Sequence, residues 1–83
     1  MHKLVVLPSA LKHGLDAGQI EEAWENFVAR RPHGDDVMVA IGFSGDVEVE
    51  MVGLLTADGK TLVIHAMSPA TEKVVRELGI GRR

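Results

Sequence analysis

Apolar residues recur at helical spacing in the first half of the chain and alternate with other residues in the second. Ile20, Ala23, Trp24, Phe27 and Val28 fall at i, i+3, i+4, i+7 and i+8, a single apolar stripe. Glu21, Glu22, Glu25 and Asn26 cover the other side. Asp16 is the expected N-cap, Gln19 completes a capping box, and Leu15 and Ile20 are spaced for a hydrophobic staple. Arg30 and Arg31 suit the C-terminal end of the helix dipole, and Pro32 ends the helix. Upstream, Ser9 is the expected cap of a single turn over residues 10–13, stopped by Gly14. Residues 2–7 read equally well as a short edge strand or as an extended arm.

Three strands follow. Val37, Val39, Ile41 and Phe43 alternate with Met38, Ala40 and Gly42; Val47, Val49 and Met51 alternate with Glu48 and Glu50. Asp58-Gly59 is a hairpin signal leading into a third strand over residues 61–67. A three-residue turn, Ser44-Gly45-Asp46, would pair Phe43 with Val47, Ile41 with Val49 and Val39 with Met51. A turn centred on Asp58-Gly59 would pair Leu55 with Leu62, Gly53 with Ile64 and Met51 with Ala66. One face then holds Val37, Val39, Ile41, Phe43, Val47, Val49, Met51, Leu55, Leu62, Ile64 and Ala66, and the Trp24/Phe27 helix is expected on it. The other holds Met38, Glu48, Glu50, Val52, Leu54, Val63, His65 and Met67, too apolar for a solvated face, so something covers part of it.

Ser68 is the expected cap of a last helix with Pro69 at its first position, an apolar stripe of Ala70, Val74, Val75 and Leu78, and Gly79 as its stop, with Ile80 folding back. Arg82-Arg83 reads as a frayed tail. The pattern predicts an α+β fold, with N-terminal helices packed on a three-stranded antiparallel meander and a short C-terminal helix, in a single domain over residues 1–83.

Composition narrows the class. Hydrophobic content of 46% with 25% charged residues fits a globular domain and not a disordered chain. The absence of cysteine excludes disulfides and thiolate metal sites and fits a reducing cytoplasm. The apolar run at residues 4–7 is too short for a signal peptide, and no run approaches the ~20 residues of a membrane span. The net charge of −3 runs against nucleic-acid binding, for which a basic surface is usual.

The titratable residues point weakly to a site. His2, His13, His33 and His65 are dispersed without metal-ligand spacing, so neither a metal nor a cofactor is expected. His65 lies mid-strand beside Val52, one pair from Glu50. It reads as a proton shuttle or, more plainly, as a histidine bonded to Glu50 or packed under the last helix. Lys12-His13-Gly14 reads as a functional turn or as an ordinary helix end. Arg30, Arg31 and His33, with Lys73 and Arg76, form a basic rim for phosphate or a set of helix-end charges.

Two segments carry a family resemblance: Ser9-Ala10-Leu11-Lys12-His13-Gly14-Leu15, and Val63-Ile64-His65-Ala66-Met67 followed by Pro69. In this order they resemble small actinobacterial proteins related to the BrnT toxins, of the RelE-like ribonuclease group of type II toxin–antitoxin systems. The resemblance covers roughly residues 8–76. It implies a RelE/BrnT-like domain, metal-independent RNA cleavage, and neutralisation by an antitoxin protein encoded next door. Carried over by position, it makes Lys12, His13 and His65 the catalytic residues, with the RNA 2′-hydroxyl as nucleophile. The chain departs from the pattern in its acidic charge, in Ala70-Thr71-Glu72 where a cation is expected after the proline, and in Glu48 and Glu50 on the face RNA would approach. A competing expectation is a non-enzymatic partner-binding or regulatory domain, a degenerate toxin that uses Met38, Val52, Leu54, Val63 and Met67 as its interface.

Overall fold

The computed structural model describes residues 3–79. The chain forms β1 (Lys3–Val6), a short 3₁₀ turn (Pro8–Leu11), α1 (Ala17–Glu25), β2 (Phe27–Pro32), β3 (Val37–Ser44), β4 (Val47–Leu55), β5 (Lys60–Met67) and α2 (Glu72–Glu77). The strands make one sheet in the order β1-β5-β4-β3-β2, with β1 parallel to β5 and the other neighbours antiparallel. This corrects the expected architecture: among the described residues the sheet has five strands and is mixed, and only α1, with nine residues, is a substantial helix. Among the described residues no helix is long and apolar enough to cross a membrane. The expected fold-back of Ile80 and the tail at Arg82-Arg83 lie outside the described residues.

Residues 3–6 resolve as an edge strand. Their main chain pairs with β5 from Lys3↔Lys60 to Val6↔Val63, and the Leu7 N–H continues the ladder to the Val63 carbonyl at 3.0 Å. Leu7 precedes the 3₁₀ turn, and the Ser9 hydroxyl does not cap it; that hydroxyl donates instead to the Ile64 carbonyl at 2.6 Å. The turn therefore runs beside the C-terminal half of β5, where β1 has ended.

The start of α1 is as the sequence predicts. Gln19 N–H donates to Asp16 Oδ1 at 2.8 Å, and Asp16 N–H donates to Gln19 Oε1 at 3.0 Å, a reciprocal capping box. The helix buries Ile20, Ala23 and Trp24 but ends at Glu25, six residues before the expected stop. Phe27 to Arg31 extend instead along β3, and Phe27 and Val28 are 41% and 57% exposed. An aromatic and a β-branched residue lie comfortably in a strand, and pairing with the open edge of β3 satisfies more main-chain groups than another helical turn would.

Two local events reassign the faces of the sheet. The β3–β4 turn has two residues, Gly45 at φ +59° and Asp46, and pairs Ser44 with Val47, so β3 is turned over relative to the expected register. Ala40 and Gly42 now face α1, while Ile41 packs with α2. In β5, Val52 pairs with His65 but Gly53 pairs with Val63, which leaves Ile64 as the extra residue of a bulge. The bulge puts Val63 and Thr61, not Ile64 and Leu62, on the buried side, and leaves the expected Met51–Ala66 pair and the phase of His65 intact.

Gly42 sets how closely α1 approaches. A Cβ there would sit 1.8 Å from the Ala23 carbonyl oxygen, and one at Gly53 would sit 2.7 Å from the Trp24 ring. The resulting core joins Ala10, Leu15, Ile20, Ala23, Trp24, Ala40, Val49, Met51, Val63 and Ala66. The opposite face is covered by the segment around α2, through Ile41, Ala70 and Val75, with Val74 and Leu78 beside them.

These contacts rank three substitutions. Gly42→Ala should cost about 3 kcal/mol or more, because the obstacle is rigid backbone. Ile20→Ala should cost about 2–5 kcal/mol through its cavity. Phe27→Ala, at an exposed edge, should cost less than either. Thermal melting of the three variants checks the order, at about 4–8 °C per kcal/mol for a domain of this size.

Candidate functional site

Alternation along β4 sends Val49 and Met51 into the α1 core and Glu48 and Glu50 to the α2 side. Glu50 is only 5% exposed, and a carboxylate so placed needs donors to replace water. It has three. Glu50 Oε1 accepts the Thr71 N–H at 2.9 Å and the Thr71 hydroxyl at 2.8 Å, and Glu50 Oε2 lies 2.8 Å from His65 Nε2. Glu48 Oε1 accepts the Ala70 N–H at 3.0 Å.

The two carboxylates thus hold the segment that leads into α2. The Thr71 hydroxyl also accepts from the Val74 N–H, so Thr71, not Ser68, caps the helix. Pro69, expected at the first helical position, precedes the helix in a cis peptide with Ser68. Burial pushes the Glu50 carboxyl upward, but the Thr71 N–H, the Thr71 hydroxyl and the His65 ring together outweigh it. The carboxyl is held below its ordinary value of 4.5.

His13 reaches the same place from the other end of the chain. The 3₁₀ turn carries it beside β5, and its ring stands edge-on to His65, with centroids 5.6 Å apart and planes at 73°. The structure therefore brings together two of the three residues singled out as catalytic, His13 and His65. Lys12, the third, is exposed at the end of the turn.

The other expected groups divide. Arg30 pairs with Ala40 and lies on the α1 side, its guanidinium 4.4 Å from the Phe27 ring centroid. Arg31 lies on the α2 side and donates to the Glu77 carbonyl at 2.5 Å, while Lys73 and Arg76 are exposed on α2. The four cations do not form one rim, because β2 is a strand and adjacent residues point to opposite faces. The proposed partner patch is split in the same way. Val63 is buried in the α1 core with Met38 packed against it, leaving Val52, Leu54 and Met67 half-buried on the other face. A cleft of about 320 Å³ lined by Trp24, Arg30, Met38, Leu55 and Thr61 opens on the α1 side, across the sheet from the histidines.

Among the described residues no group of three or more His, Cys, Asp or Glu side chains is placed to hold a metal ion. Sequence reasoning noted a Glu50–His65 bond as an alternative and missed Thr71 and Glu48 as its supports. The available signal was a Glu-x-Glu pair in a strand otherwise apolar on both faces, since carboxylates buried there must find donors. Comparison with family models, with curated proteins and with solved structures found no match.

The Glu50 network fixes the sign of an acid effect. A carboxyl whose folded value is depressed contributes stability that is fully present above its unfolded value of 4.5 and is lost as pH falls through the folded value. Glu50→Gln should therefore flatten the acid limb of the stability curve, measured as melting temperature from about pH 6 to about pH 3. An unchanged acid limb would mean that Glu50 is not the coupled group.

Proposed function

We propose that this chain is a metal-independent endoribonuclease module of toxin type, neutralised in its host by a protein encoded beside it. The observation that carries this reading is the edge-on pair of His13 and His65, two imidazoles within reach of one small substrate group. Imidazole is the side chain suited to both halves of general acid–base chemistry near neutral pH. One histidine removes the proton of the RNA 2′-hydroxyl. The freed oxygen attacks the adjacent phosphorus, and the bond to the 5′-oxygen breaks. The other histidine, protonated, gives its proton to that leaving oxygen. The products are a 2′,3′-cyclic phosphate and a 5′-hydroxyl, with no water or metal consumed. Lys12, next to His13, is the cation available to the phosphorane charge. The resemblance at residues 9–15 and 63–69 supports the same assignment.

A second reading, a non-enzymatic partner-binding domain, is favoured by one observation. β2 is an outer strand whose free edge exposes Phe27 and Val28. Outer strands with exposed apolar residues invite a further strand from another chain.

Cleavage of RNA by the purified protein separates the two. His13→Ala should lower the single-turnover rate by ~10²-fold or more without loss of stability, because His13 is exposed. His65→Ala should lower it as much and also cost about 1–3 kcal/mol, since it removes a donor from the buried Glu50 oxygen. Cleavage should persist in chelator. Absence of both RNA cleavage and growth arrest on induction would sink the ribonuclease reading. In that case Phe27→Asp should abolish association with the neighbouring gene product.

A further inference from the structure

We infer that Glu50 is a positioning residue that dictates the tautomer of His65, keeping the ring proton on Nε2 and leaving Nδ1 as the nitrogen that reacts. The argument begins from donor and acceptor counts. An ionised carboxylate has acceptors only. Glu50 Oε2 lies 2.8 Å from His65 Nε2, so that nitrogen carries a hydrogen whether the ring is neutral or charged. Neutral His65 is therefore the Nε2–H tautomer, and its lone pair is on Nδ1. The carboxylate is kept ionised by Thr71, whose N–H and hydroxyl both donate to Oε1. Those same bonds fix which oxygen faces the histidine. The Thr71 N–H is part of the main chain at the start of α2 and cannot reverse its direction, so the polarity of the network is set from outside the site.

This gives Glu50→Gln an unusual consequence. An amide is nearly the same size as a carboxylate but has one oxygen and one NH₂. The two Thr71 donors claim the oxygen. The NH₂ is then turned to His65 Nε2 as a donor, and neutral His65 must move its proton to Nδ1. The substitution inverts the tautomer and removes the basic nitrogen from the reacting side. Only this catalytic consequence rests on the ribonuclease reading. The tautomer assignment rests on the hydrogen bonds alone.

The test is long-range ¹H–¹⁵N correlation of the histidine rings in the full chain, recorded at a pH where His65 is neutral. Wild type should show His65 Nε2 as the protonated nitrogen and Nδ1 as the bare one, and Glu50→Gln should show the reverse. A wild-type spectrum with the proton on Nδ1 overturns the inference without any variant being made. A folded Glu50→Gln protein that keeps Nε2–H overturns it as well. In parallel, Glu50→Gln should lower kcat for RNA cleavage roughly 10²-fold or more with KM little changed, because substrate contacts are untouched. An inverted tautomer with unchanged kcat would overturn the positioning role. Failure of wild type to cleave RNA would overturn the ribonuclease reading, and the spectra would still decide the tautomer.

Discussion

A carboxylate inside an apolar sheet is the constraint around which much of this domain is arranged. Glu50 has little access to water that would solvate its charge, so donors have to come from the protein. They come from two nearby segments that follow β4 in the chain: the ring of His65 on the neighbouring strand, and the N–H and hydroxyl of Thr71 at the start of α2. The bonds that satisfy the charge also anchor the start of α2 on the sheet, beside the apolar contact of Ile41 with Ala70 and Val75. With the Ala70 N–H held by Glu48 as well, two acidic side chains reinforce the apolar contact that α2 makes with Ile41. A six-residue helix has little stability of its own, and anchoring its first residues is an economical way to keep it in place.

The same network puts chemistry and architecture on the same residues. His65 is oriented because Glu50 is satisfied, and Glu50 is satisfied because α2 is docked. His13 joins from a turn that is itself pinned to β5 through Ser9 and Ile64. The histidines therefore meet where three elements anchored on one another come together: β4, β5 and the N-terminal turn. A site built this way loses geometry when any one anchor is lost, so effects on activity and on stability separate only for residues such as His13 that no other element depends on.

Contact between α1 and the sheet depends on the absence of side chains. Gly42 lets the Ala23 carbonyl lie against β3, and Gly53 makes room for Trp24. Both glycines sit mid-strand, where a glycine weakens a strand unless another group approaches closely. The loss in strand propensity is offset by burial of Trp24, Ala23 and Ile20 against Val49 and Met51.

Some of this was written in local pattern. The capping box of Asp16 and Gln19 depends on residues three apart and appeared as expected, as did the phase of β4 and the face of His65. Glu50 as a partner for His65 was legible because the two lie near each other on a short hairpin. What periodicity did not decide was the pairing of strands and the exact register that each turn and bulge sets. Phe27 and Val28 complete a helical stripe, yet the open edge of β3 drew them and the residues after them into a strand. One residue fewer in the turn at Gly45 turned β3 over, and the bulge at Ile64 turned over half of β5, because side chains in a strand repeat every two residues and a single slip exchanges the faces. The sequence by itself determined which residues are apolar, where α1 begins and which strand carries the carboxylates. Only the tertiary structure decided which apolar residues share a core, and that His13 meets His65. The first depends on the register that one turn and one bulge impose, and the second on main-chain hydrogen bonds between the N-terminal segment and β5, more than fifty residues apart; no periodicity encodes either.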